Sequence, residues 1–171
     1  MQSLFFNILF FAVPCWITNM SFQLIYAAKT LVPKHHWLRK IKIDNWDFIF
    51  IDGKPFIGSG LRLTSMASII TLPFIFNVLL PASLAYYFTL TFSVFAGDLC
   101  GSILKRRLGY GKGSFAPFID HGDYIIFTGI VFIFLGHLSL TVFISALLIT
   151  YVLHPLACII GYKLHIKKEM L

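Results

Sequence analysis

Three long stretches of the chain, residues 1–28, 63–97 and 124–162, contain no Asp, Glu, Lys or Arg. Nothing else in the sequence constrains the fold as strongly. A helix that crosses a bilayer needs about 20 consecutive apolar residues. The first stretch is therefore long enough for one span, and the other two for two each if a turn divides them. Pro81 divides the second, because proline begins helices well and continues them badly. Gly136-His137 divides the third. The pattern predicts an all-α integral membrane protein, a single transmembrane domain with five spans near 3–28, 64–80, 82–104, 120–136 and 138–162. Apolar residues make up 58% of the chain and charged residues 12%, about half the charge a soluble domain carries. That excludes a soluble enzyme, a disordered chain and a disulfide scaffold.

Charge placement sets the expected orientation. All 14 Lys and Arg fall between the first and second spans, between the third and fourth, or after the fifth. With five spans these segments share one side, and positive-inside bias makes loops 29–63 and 105–119 cytoplasmic. Four or six spans would split the basic residues. All seven acids collect on the same side. A cleaved leader is the rival reading of residues 1–28, but they lack a basic start followed by a short apolar core. Cys15, Cys100 and Cys158 have no metal-ligand spacing and read as packing residues. The net charge of +7 would ordinarily raise nucleic acid as a partner; in a membrane chain its placement matters more than its sum.

Chemistry concentrates at two places. Asp98 interrupts an apolar helix, and an ionised carboxylate there must face a cavity, a cation or a metal. Asp98, Ser102 and Lys105 share a helix face by i, i+4, i+7 spacing, and Gly101 beside them leaves room for a ligand. The bland reading is that Asp98 pairs with Lys105 or Arg106. The second place is Asp120-His121-Gly122-Asp123, two carboxylates three residues apart where a helix enters the membrane. Its bland reading is helix N-terminal capping. Three Asp on consecutive elements offer hard oxygens of the kind Mg²⁺ or Ca²⁺ takes. The Lys-Arg cluster between them suits phosphate. Metal and phosphate at a membrane surface point to phosphoryl or nucleotidyl transfer to a lipid. The remaining histidines read as interfacial or packing residues. A lateral opening for lipid chains is expected, with Phe88, Phe92 and Phe95 as candidate lining or as ordinary core and lipid-facing side chains. A third element, Asp52-Gly53-Lys54 followed by Gly58-Ser59-Gly60-Leu61-Arg62, offers close backbone approach and the cations Lys54 and Arg62.

The run Gly97-Asp98-Leu99…Ser102-Ile103-Leu104-Lys105-Arg106-Arg107, then Pro117 and Asp120…Asp123, resembles the membrane CTP:phosphatidate cytidylyltransferases. The short linker Leu108–Ala116, the small size and five spans look more like the CDP-archaeol synthase branch. Asp52-Gly53-Lys54…Gly60 is similar to that family's cytoplasmic loop, and His154-Pro155-Leu156…Tyr162-Lys163-Leu164 to its last helix. The loop departs from the family pattern: Leu61-Arg62 stand where the family has Lys-Thr. The resemblance implies CTP and a membrane lipid phosphate as substrates, Mg²⁺ as cofactor, the bilayer as surroundings and no nucleic acid partner. It implies that Asp98, Asp120 and Asp123 hold the metal, that these acids and Lys105 are catalytic, and that Ser102, Lys105, Arg106, Lys112, Lys54 and Arg62 meet substrate phosphates. The lipid is an isoprenoid glycerol phosphate in that branch; an acyl phosphatidate is the alternative. A small transporter is the non-enzymatic rival, since a charge inside a span also marks ion paths.

Overall fold

The computed structural model describes residues 3–31, 50–51, 54–55, 63–111 and 116–163. Among them are five helices: α1 (Leu4–Leu31), α2 (Leu63–Leu79), α3 (Leu84–Arg107), α4 (Pro117–Phe134) and α5 (Leu140–Lys163). A two-residue antiparallel pairing, β1 (Phe50–Ile51) with β2 (Lys54–Pro55), lies between α1 and α2, with Phe50 opposite Pro55. The chain is thus an all-helical membrane protein in which four described helices are long and apolar enough to cross a bilayer. α2 supplies a shorter apolar stretch, Ser68–Leu79.

The helix breaks have local causes. After α2, the Asn77 side-chain amide donates to the Ala82 carbonyl at 2.8 Å, and the Ser83 hydroxyl accepts from Tyr86 N at 3.2 Å to start α3. α3 ends in Lys105, Arg106 and Arg107, cations that suit the negative end of the helix dipole. Gly109 at φ +84° then lets Tyr110 N reach back to Lys105 O at 3.0 Å. α4 ends the same way: Gly136 at φ +71° lets His137 N reach Phe132 O at 2.9 Å.

α1 is built into the bundle and packs on all four other helices. Phe11, Ala12 and Cys15 of α1 are buried with Leu90 and Val94 of α3, Tyr124, Ile125 and Phe132 of α4, and Ala146 of α5. Two side-chain hydrogen bonds join helices inside the bundle. The Trp16 indole N–H donates to Thr150 Oγ1 at 2.9 Å, joining α1 to α5, and Ser21 Oγ lies 3.1 Å from Ser68 Oγ, joining α1 to α2. Cys15 and Cys158 are buried and form no disulfide, whereas Cys100 is exposed. Phe88, Phe92 and Phe95 share no opening: Phe88 packs edge-on against Phe74, Phe92 faces outward and Phe95 is buried.

The pairing that matters most for the site is α3 with α4, the most extensive in the bundle. Gly97 and Gly101 stand one turn apart on α3 and let the α4 backbone come close. A Cβ at Gly97 would lie 2.7 Å from Tyr124 Cα and 2.9 Å from Asp123 O.

Candidate active site

The basic end of α3 and the acidic start of α4 face each other. Lys105 forms an ion pair with Asp120 Oδ1, both side chains being about one-fifth exposed. The second oxygen of Asp120 accepts from Ala116 N at 2.8 Å. Asp120 therefore does what capping predicts and also binds the cation fifteen residues earlier. That geometry answers one question left open by spacing: Lys105 turns to Asp120 across the helix pair.

Asp123 sits one turn deeper. Its Oδ1 accepts from the Tyr124 amide at 2.7 Å. Its carboxylate lies against Gly101, where a Cβ would fall 2.0 Å from Oδ2 and 2.7 Å from the Asp123 Cβ. The Asp123 carboxylate lies in the space beside Gly101 that was expected from sequence to admit a ligand. The charges of Asp98 and Asp120 both act on Asp123, and Lys105 opposes them. The three acids predicted from sequence thus share one electrostatic field at the junction of α3 and α4.

The other sequence candidates are placed less centrally. Ser102 is half-buried next to Gly101. Arg106 donates to Tyr110 O at 3.2 Å and so folds over the end of its own helix. Lys54 stands on β2. Arg62 and Lys112 lie outside the described residues.

Among the described residues, no set of three His, Cys, Asp or Glu is arranged as a ready metal cluster. The donor chemistry nonetheless fits a hard divalent cation: the carboxylates of Asp98 and Asp120 both act on that of Asp123, with Lys105 opposing them. Asp120 is held by Lys105.

A lateral groove of about 420 Å³ opens beside this junction. It follows α4 from Phe118 to Ile130, roughly 18 Å at the helical rise, against Cys100 and Leu104 of α3. Asp123 is its one charged lining residue among those described, and Tyr151 of α5 completes the wall. Phe118, Leu104 and Ile130 are exposed on the outer surface of the bundle. The groove lies on α3, α4 and α5, and Phe88, Phe92 and Phe95 are not among its lining residues.

Two residues that sequence reasoning passed over belong to the same neighbourhood. The Tyr151 hydroxyl donates to Phe118 O at 2.7 Å. His154, read from sequence as packing, places Nδ1 2.7 Å from Nδ1 of His121. The signal available was their spacing: Tyr151 and His154 are three apart on α5, as Phe118 and His121 are on α4.

Apolar spanning helices, a paired Lys and Asp at their polar end and an apolar groove reaching the acids define a membrane enzyme that handles a charged head group on a lipid. The chain belongs to the CarS-like CDP-archaeol synthase family, whose model matches residues 1–170. The CDP-archaeol synthase of Sulfurisphaera tokodaii is 30% identical over 125 residues, covering 69% of this chain and 75% of the relative. That of Pyrobaculum islandicum is 33% identical over 122 residues, covering 71% and 73%. That of Methanococcus vannielii is 36% identical over 93 residues, about half of each chain. No solved structure matches. Membership makes the chain a CTP-dependent nucleotidyltransferase of lipid biosynthesis.

Proposed function

We propose that the α3–α4 junction is where CTP and an isoprenoid glycerol phosphate, unsaturated archaetidic acid, are converted into a CDP-activated lipid and pyrophosphate. The observation that carries this reading is the meeting of Lys105 with Asp120 beside Asp123, at the polar end of the groove-bearing helix pair. A lipid-phosphate oxygen forms a bond to the α-phosphorus of CTP, and the bond from that phosphorus to pyrophosphate breaks. The nucleophile needs no general base, since a phosphate monoester is already ionised near neutral pH. Negative charge moves onto the leaving oxygens, so catalysis is chiefly a matter of placing positive charge and holding the reactants in line.

Lys105 supplies that charge from a fixed position, because Asp120 orients its ammonium. Arg106, Ser102 and the cations Lys54, Arg62 and Lys112 meet the phosphates of CTP and lipid. Asp98, Asp120 and Asp123 supply the hard oxygens that would hold Mg²⁺, which when bound offsets phosphate charge. The apolar chains rest in the groove along α4, so the lipid phosphate reaches the acids without leaving the membrane. The distribution of Lys and Arg favours a cytoplasmic orientation for this end of the bundle, which is where CTP is found.

Purified protein incubated with CTP, Mg²⁺ and either an isoprenoid ether-lipid phosphate or an acyl phosphatidate tests the reading through pyrophosphate release. Release with the isoprenoid substrate is expected. Release only with phosphatidate shifts the substrate class, and nucleotide or lipid movement without release moves the protein to transport.

A further inference from the structure

Helix α4 carries two of the three acids, yet its first turn has no side-chain cap from Ala116, and residues 112–115 before it lie outside the described structure. Besides the bond from Ala116 N to Asp120 and the ion pair with Lys105, a further hold on that turn comes from α5. The Tyr151 hydroxyl donates to the carbonyl of Phe118, two residues before Asp120, at 2.7 Å. The ring reaches that carbonyl by crossing the face of Gly122. A Cβ there would lie 2.3 Å from the hydroxyl and 2.8 Å from Cζ, so any side chain at 122 displaces the ring. Pro155 has no amide to bond the Tyr151 carbonyl, which loosens the α5 ladder at this turn. One turn further along α5, His154 meets His121 of α4, with the Nδ1 atoms 2.7 Å apart. Residues 118, 121 and 122 of α4 are thus gripped by 151 and 154 of α5, and Asp120 and Asp123 flank the grip. Tyr151 also walls the groove that contains Asp123.

We propose that Tyr151 is a positioning residue for the reaction: its hydroxyl sets the first turn of α4, and through it Asp120 and Asp123, while its ring forms the wall against which the lipid chain lies. This rests on the reading of the α3–α4 junction as the reacting site. The two parts of the side chain have separable consequences. The hydroxyl acts on the acids, which work in the transition state, so its loss lowers kcat. The ring acts on the bound chain, so its loss raises the lipid KM.

The test is steady-state kinetics of the full chain in lipid nanodiscs, with CTP and a long-chain isoprenoid glycerol phosphate or a short-chain dihexyl analogue that cannot fill the groove. Tyr151→Phe is expected to lower kcat about tenfold with both lipids and leave the lipid KM unchanged. Tyr151→Leu adds a rise of several-fold in KM for the long-chain lipid alone. Gly122→Ala displaces the hydroxyl without altering Tyr151 and should reproduce the kcat loss, guarding against a defect peculiar to one variant. A Tyr151→Phe protein with wild-type kcat overturns the assignment, as does a variant whose only change is a lower melting temperature. A wild-type protein that releases no pyrophosphate with either lipid overturns the underlying reading and the proposal with it; an active wild type with indifferent variants overturns the proposal alone.

Discussion

Asp123 and Gly101 are in such close contact that no side chain larger than hydrogen fits between them: a Cβ on Gly101 would stand 2.0 Å from one carboxylate oxygen and 2.7 Å from the carboxyl carbon. The carboxylate is held at the helix crossing by the absence of an atom on the facing helix. Since Asp98 and Asp120 also act on Asp123, the contact decides where the three acidic side chains influence one another.

Gly101→Ala should therefore silence the enzyme. The added methyl would meet both the carboxylate of Asp123 and its Cβ, so the carboxylate must leave its place and the helix pair must give a little as well. Loss of activity by about 10²-fold or more is expected, comparable to removing one electrostatic contributor to a transition state. Pyrophosphate release per folded molecule, with retention on size exclusion as the control, reads the effect. An alanine variant with full turnover would show that the observed place of Asp123 is immaterial.

Lys105 has two duties that substitution can separate. Its charge serves the phosphates, and its ion pair keeps Asp120 oriented. Lys105→Met removes both, and turnover should fall by about 10²–10³-fold. Lys105→Arg keeps the charge but exchanges a compact ammonium for a planar fork, so a partial loss of about tenfold is expected. Equal losses in the two variants would mean that geometry, and not charge, is what Lys105 supplies.

The acids should prove unequal in their dependence on metal. Chelation should stop turnover and Mg²⁺ restore it. Asp98→Asn removes one of the acids proposed to hold Mg²⁺, so it should raise the Mg²⁺ concentration for half-maximal activity by at least tenfold, with the helical circular dichroism unchanged. Asp120→Asn weakens the Lys105 pair as well, so it should lower turnover even at saturating Mg²⁺. Insensitivity of all three acids to the metal titration would remove Mg²⁺ from the proposal.

Much of this was legible from residues alone, for identifiable reasons. Uncharged stretches and the breaks at Pro81 and Gly136-His137 mark helix ends because Pro lacks an amide and Gly tolerates positive φ, and the described helices stop at Leu79 and Phe134. Asp98, Asp120 and Asp123 stood out because carboxylates are costly in an apolar helix. What spacing could not reveal was which helices touch. Gly101 was taken as room for a ligand, because nothing local shows that α4 fills that room with Asp123. Lys105 was placed on the Asp98 face, but its ion pair is with Asp120 on the next helix. Tyr151 drew no notice and His154 read as an interfacial or packing residue because their partners, Phe118 and His121, lie 33 positions away in the chain. The groove is likewise a property of three helices together.

Gly97 gives the sharpest contrast with Gly101, one turn away on the same face of α3. A Cβ at Gly97 would meet backbone, 2.7 Å from Tyr124 Cα and 2.9 Å from Asp123 O, as well as Phe127 Cβ at 2.9 Å. Backbone cannot rotate aside as a carboxylate can, so Gly97→Ala must push α3 and α4 apart. Overpacking of this kind costs about 1–3 kcal/mol. The same displacement draws Lys105 away from Asp120. Gly97→Ala should thus lower the melting temperature more than Gly101→Ala, whose added methyl meets only the Asp123 side chain, and both should lower turnover. Thermal unfolding of the two variants in one detergent, beside their pyrophosphate release, separates a methyl group that meets a side chain from one that meets backbone. If the two variants unfold at the same temperature, the backbone approach at Gly97 is not what holds α3 against α4.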